Sequence, residues 1–208
     1  MSEPRTVLLP RERVVRWFDN FAARHGDPSY AVLSGVLHAT APDGARADAA
    51  LPFGGRYAGT PAAKPFADAV QAPDAWGVLL VRKGGFAVAG VTGERVVESK
   101  VGRRHVQGRT KAGGQSQQRF ARRRDNQARA AFGAAAEHAA RLLGPELAAL
   151  VCGGDRTAVD LVLDDPRLRV LAAVRVEPWL AVPDPRRAVL DQAVRDACSV
   201  VLVVSDPP

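Results

Sequence analysis

Gly113, Gly114 and Gln115 stand together inside "GRTKAGGQSQQRFARRR", residues 108–124. Glycine populates positive φ at no steric cost, so Gly113 and Gly114 can bring the backbone close to a ligand. With Gln115 and Ser116 they supply main-chain amides at the start of the helix that follows, a favourable place for a phosphate or a developing oxyanion. Ser116 suits the N-cap position, although Arg119 at the third helical position leaves the capping box incomplete. The Gln115 carboxamide can donate and accept hydrogen bonds. It can orient a water but is poorly suited to taking its proton. Chemistry built on such a group needs an activated electrophile and a proton acceptor from elsewhere. An acyl ester on a ribose, as at an aminoacylated tRNA 3′ end, meets both demands, because the adjacent hydroxyl relays protons. The plain alternative for Gly-Gly is a flexible turn before a helix.

Charge narrows the choice. The 208-residue chain carries a formal net charge of +7. Between positions 103 and 129 lie nine Lys/Arg and a single acid, Asp125, leaving the remainder one unit negative. A near-neutral body with one concentrated basic element is the electrostatic footprint of a nucleic-acid contact, a solvated charge run being the alternative. Arg109, Lys111, Arg119, Arg122, Arg123 and Arg129 are the candidate phosphate contacts. At 100° per residue, Arg119, Arg122, Arg123 and Arg129 share one face of a helix spanning 117–143. Phe120, Ala128, Ala131, Ala135, Ala139 and Leu142 share the other. Arg124 falls on the apolar side and must snorkel.

These residues need a frame. "RERVVRWFDNFAARHG" predicts a helix ending at Gly26, "YAVLSGVLHAT" a strand, and the Gly/Pro/Ala-rich text from 42 to 73 a loop with a short helix at 66–70. From Ala75 three apolar runs, 76–82, 85–91 and 94–101, are separated by "RKGG" and "TGE", which predicts an antiparallel meander. A mobile loop over 106–117 and the long helix follow. "LAALVCGG" reads as a buried strand, "DRTAVDLVLDD" as a helix, "LRVLAAVRV" as a strand, "DPRRAVLDQAVRDAC" as a helix and "SVVLVV" as a last strand. The expected fold is α/β with a mixed sheet. The expected domains are residues 1–74, a helix–strand extension and linker that can pack on the core, and residues 75–208, the site-bearing domain.

"GGQSQQRFARRRDNQARAAF" resembles the Gly-Gly-Gln loop and basic helix in the middle domain of eukaryotic and archaeal class I peptide-chain release factors. From Trp76 through "CGGDRTAVDLVLDDPRLR" to "DQAV" the chain looks most like the related VLRF-type domain of ribosome-associated quality control, over roughly two-thirds of its length. That resemblance implies a ribonuclease-H-like fold and a peptidyl-tRNA hydrolase freeing nascent chains on stalled large subunits. Gly113 and Gly114 would shape the loop, Gln115 would place water or ester, and Ser116 would begin the helix. The implied partners are large-subunit rRNA and peptidyl-tRNA. Residues 1–74 carry no codon-reading motif, which argues against stop-codon reading, and the zinc finger and ankyrin repeats of the eukaryotic proteins are absent.

Two other functions stay open: a tRNA 3′-end nuclease, and a non-catalytic ribosome- or RNA-binding protein. His105 is the histidine nearest the loop and reads as a spacer or phosphate contact. His25, His38 and His138 read as surface or helix-end residues. No G-x-S-x-G elbow accompanies Ser34 or Ser99, and "CGGDR" at 152–156 is a weak phosphate-turn candidate. Cys152 and Cys198 lack CxxC spacing and read as buried thiols. No Cys/His set has zinc-ligand spacing, and no metal or other cofactor is expected. No apolar run approaches the ~20 residues of a membrane span. The expectation is a cytoplasmic protein without membrane or DNA partners.

Overall fold

The computed structural model describes residues 3–103 and 130–207. The chain divides into two compact units, residues 1–72 with 195–208, and residues 73–194.

The first unit is an antiparallel sheet of order β1-β10-β4-β3-β2. Its strands are Arg5–Leu9 (β1), Ser29–Leu33 (β2), Val36–Thr40 (β3), Arg46–Ala50 (β4) and Val200–Ser205 (β10). Val14, Phe18 and Phe21 recur at helical spacing on Val14–His25 (α1) and are buried against the sheet, as is Phe66 on Ala63–Asp68 (α2). The alternation over residues 30–40 predicts one strand, but the chain makes a hairpin. Ser34 and Gly35 both have positive φ, 53° and 87°, the geometry of the two-residue turns whose twist matches flanking strands. β4 lies in text expected to be loop. Ala45, Ala47 and Ala49 are fully buried, and a side chain that small carries little strand signal although it packs well beneath a helix.

The second unit is a mixed sheet of order β7-β6-β5-β8-β9. Trp76–Arg82 (β5), Gly85–Thr92 (β6) and Arg95–Arg103 (β7) form the expected meander. Ala149–Gly154 (β8) runs parallel to β5, and Arg175–Leu180 (β9) parallel to β8. Residues 130–142 are helical (α3), followed by Arg156–Leu163 (α4) and Arg169–Ala173 (α5). Leu79, Val81, Val88 and Cys152 of the sheet form one core with Ala135 and Ala139 of α3, Val159 and Val162 of α4, and Leu171 of α5. "LRVLAAVRV", expected as a strand, is α5 followed by β9. A short apolar run fits either state, and here Leu168 and Leu171, one helical turn apart, both point into the core.

Arg187–Ala197 (α6) leads the chain back to the first unit. The units divide at 72/73, and the terminal strand, within the expected 75–208 domain, joins the first sheet, where β10 pairs with β1 on one side and β4 on the other. Val200, Leu202 and Val204 supply its buried side. An apolar strand pattern fixes which face is buried, not which sheet receives it. Among the described residues, no helix is long and apolar enough to cross a membrane.

Candidate functional site

The residues singled out for chemistry and RNA contact, Arg109, Lys111, Gly113, Gly114, Gln115, Ser116, Arg119, Arg122, Arg123 and Arg129, lie outside the described residues, as do the 106–117 loop and the first half of the long helix. The described frame is what joins them to the fold. Residues 104–129 connect the end of β7 to the start of described α3.

Among the described residues β7 is an edge strand, bonded to β6 alone, with Gly102 opposite Phe86 and Lys100 opposite Val88. Above this edge α3 turns its small residues inward. Ala131, Ala135, Ala136 and Ala139 are buried, while Gly133, Glu137 and Arg141 are exposed. The inward sector agrees with the angular expectation, except that Leu143 rather than Leu142 is the buried leucine at its end. Alanine lets the helix lie close to the sheet, and the volume it leaves is filled by larger sheet residues such as Phe86.

Phe86 meets residues of both α3 and β7. The His138 ring stacks against it at 5.6 Å between centroids with 29° between planes. A Cβ placed on Gly102 would come within 2.3 Å of the Phe86 ring, so only glycine fits beneath it. Beside these rings is a cavity of about 210 Å³ lined by Gly85, Phe86, Lys100, Gly102, Ala131, Ala134 and His138. The Nδ1 of His138 is buried and has no hydrogen-bond partner among the described residues. His138, read from the sequence as a surface or helix-end residue, is half-buried near the end of α3 and stacks on Phe86. Sequence reasoning missed Phe86, Gly102 and His138, since only strand register and helix phase bring positions this far apart together. A glycine just ahead of the basic stretch was the one available signal.

His138 also borders a second cavity of about 340 Å³, with Glu137, Ala140, Arg141 and Arg167. Arg167 is held by Asp165 through Nε at 2.9 Å and Nη2 at 2.7 Å. That guanidinium, with the Arg167 main-chain amide, draws the Asp165 carboxyl down to about 2.

The "CGGDR" turn at 152–156 is filled by the protein itself. The Asp155 carboxylate accepts from the Ala158 amide at 3.2 Å, and the Asp155 amide donates to the Val81 carbonyl at 2.8 Å. A carboxylate already sits where an anion would dock on α4. His25 and His38 each pair with an aspartate, His25 with Asp43 at 2.8 Å and His38 with its cross-strand neighbour Asp48 at 2.7 Å. Cys152 is buried as expected, whereas Cys198 is only half-buried.

A family model described as the Actinobacteria/chloroflexi VLRF1 release factor, acVLRF1, matches residues 74–203. No curated protein matches the chain in sequence. Among solved structures, the archaeal translation termination factor aRF1 aligns at 17% identity over 76% of this chain and 48% of its own, with a TM-score of 0.41. A second structure, titled "Archaeal protein", aligns at 14% identity over 76% of this chain and 51% of its own, with a TM-score of 0.37. The chain spans about half the length of each. The family match covers well over half of the 208 residues and includes both β7 and α3 with everything between them, so the chain belongs to the acVLRF1 family of VLRF1 release factors.

Proposed function

We propose that this protein hydrolyses the ester linking a nascent peptide to tRNA on stalled large ribosomal subunits, without reading a stop codon. The observation that carries the reading is Gly113-Gly114-Gln115-Ser116 running directly into an arginine-studded stretch, in a chain of the release-factor family. Gly113 and Gly114 admit the backbone to the ester, and Gln115 positions the attacking water through its carboxamide or main-chain amide. The ribose hydroxyl beside the ester relays the proton that glutamine cannot take. Preorganised donors facing the oxyanion, from backbone or RNA, are each worth about 3–4 kcal/mol in the transition state. Arg109, Lys111, Arg119, Arg122, Arg123 and Arg129 hold RNA phosphates, and Ser116 begins the helix that carries four of them.

The test is single-turnover release of a labelled nascent chain from stalled large-subunit complexes. Gln115→Ala is expected to slow release by about 100-fold or more while co-sedimentation with the subunits is retained. Release at the wild-type rate with binding intact would refute the role of Gln115. The RNA product separates the enzymatic alternatives, since ester hydrolysis leaves a full-length tRNA and nuclease action a shortened one. Binding without any release by the wild type would select the non-catalytic reading.

A further inference from the structure

We infer that β2 is a self-association edge: two copies of the chain pair antiparallel along Ser29–Leu33 and join their first sheets. The inference concerns the first unit alone and is independent of the proposed reaction.

The hairpin turn decides which main-chain groups of β2 are free. Ser34 and Gly35, both at positive φ, form a two-residue turn, so Leu33 and Val36 exchange the hydrogen bonds beside it. The β2–β3 register runs without a shift. Bonding sides alternate along a strand, so the amides and carbonyls of Ser29, Ala31 and Leu33 face β3. Those of Tyr30 and Val32 point away from the sheet. β2 is the last strand of its sheet, and among the described residues no main-chain group outside β3 bonds it.

Composition leaves this edge unprotected. The other three edge strands carry features that block pairing: Arg5 in β1 with Pro10 after it, Glu98 and Lys100 in β7, Glu177 and Pro178 in β9. β2 reads Ser-Tyr-Ala-Val-Leu, without charge, proline or bulge. Its Leu33 is 62% exposed, the most exposed large apolar residue among those described.

Symmetry and charge select the occupant. A two-fold axis at Ala31 sets Tyr30 opposite Val32 of the second copy and Ser29 opposite Leu33 of the second copy. The outward amides and carbonyls of Tyr30 and Val32 then all find partners, and opposed side chains stay on the same face. The same register brings Asp27, two residues before β2, to Gly35 of the second copy. Arg56 packs on Gly35: a Cβ there would lie 2.9 Å from the Arg56 Cβ. Asp27 and Arg56 are exposed, and neither makes an ion pair among the described residues. Each copy thus brings an unpaired acid to one end of the shared strand pair and an unpaired cation to the other. A homodimer matches both. An uncharged peptide laid on β2 would satisfy the main chain and leave both charges unmatched.

The experiment is sedimentation equilibrium of the full chain from about 1 to 300 μM. A five-residue strand pair is smaller than a standard interface, so wild type is expected to be half dimeric at roughly 10–100 μM. Ala31→Lys sets like charges face to face at the axis and is expected to weaken association about fivefold or more. Asp27→Arg and Arg56→Asp are each expected to weaken it about threefold, and the double exchange to restore it. If Ala31→Lys does not melt like wild type, the charge variants decide alone. A monomer across the whole range would overturn the inference, whether or not a free peptide takes up the edge. Association unmoved by Ala31→Lys, or a double exchange no tighter than the single changes, would place the contact elsewhere and also overturn it.

Discussion

Single side chains in the second unit show how strongly packing acts on chemistry. Cys152 faces the interior of β8 at 1% exposure. Burial pushes its thiol up to about 12, with Arg175 opposing and Asp160 and Glu177 adding to the rise. An unfolded cysteine ionises near 8.5. Below that pH both states hold the proton and the residue adds no pH dependence. Above it the unfolded chain releases the proton while the folded one retains it, so stability falls as pH rises from about 9 towards 12. Urea midpoints at rising alkaline pH are expected to drop faster for wild type than for Cys152→Ala, by up to about 1 kcal/mol per pH unit. Equal slopes for the two proteins would mean that the thiol is solvated. The same burial keeps Cys152 out of any nucleophilic role, since the thiolate is the reactive form.

At the scale of elements, the glycine-bearing connection between β8 and α4 is closed by the protein itself. Gly153–Gly154–Asp155, between β8 and α4, packs closed: Gly154 has φ 94°, and a Cβ there would sit 2.3 Å from the Val81 carbonyl oxygen. Gly154→Ala is expected to cost about 2–4 kcal/mol, from left-handed strain together with the backbone clash. The urea midpoint reads this loss, and an unchanged midpoint would mean that the turn is not closed as described. Gly113–Gly114 lies between β7 and α3 in the sequence, outside the described residues. Composition does not distinguish the two glycine pairs.

Across the whole molecule, the chain's last strand is the one that completes its first sheet. β10 lies between β1 and β4, burying Val200, Leu202 and Val204. Side chains of this kind contribute about 1.5–3 kcal/mol each on burial, together comparable to the ~5–15 kcal/mol stability of an ordinary domain. Deleting residues 199–208 is therefore expected to unfold the first unit. Amide protection in β1, β3 and β4 should then fall to that of unfolded chain by hydrogen exchange. Protection persisting in those strands would show that the sheet forms without the strand between β1 and β4. The family match runs to residue 203, inside β10, so the matched segment reaches beyond the mixed sheet.

Much of the second unit was legible in the residues alone. The meander, the β8 strand, the α4 helix and the inward face of α3 all follow from local periodicity and turn composition, which act over a few residues. The Gly-Gly-Gln tripeptide and its basic neighbourhood stand out in the sequence as well, because charge density and backbone freedom are properties of a continuous stretch, and they lie outside the described residues. Long-range pairing decided the rest. Ser34–Gly35 turned one apparent strand into two, a run of alanines became β4 only beneath a helix, and "SVVLVV" entered the first sheet rather than the second. Phe86, Gly102 and His138 meet only once β6 and β7 are in register and α3 is laid across them, since no local pattern encodes contacts between residues so far apart in the chain.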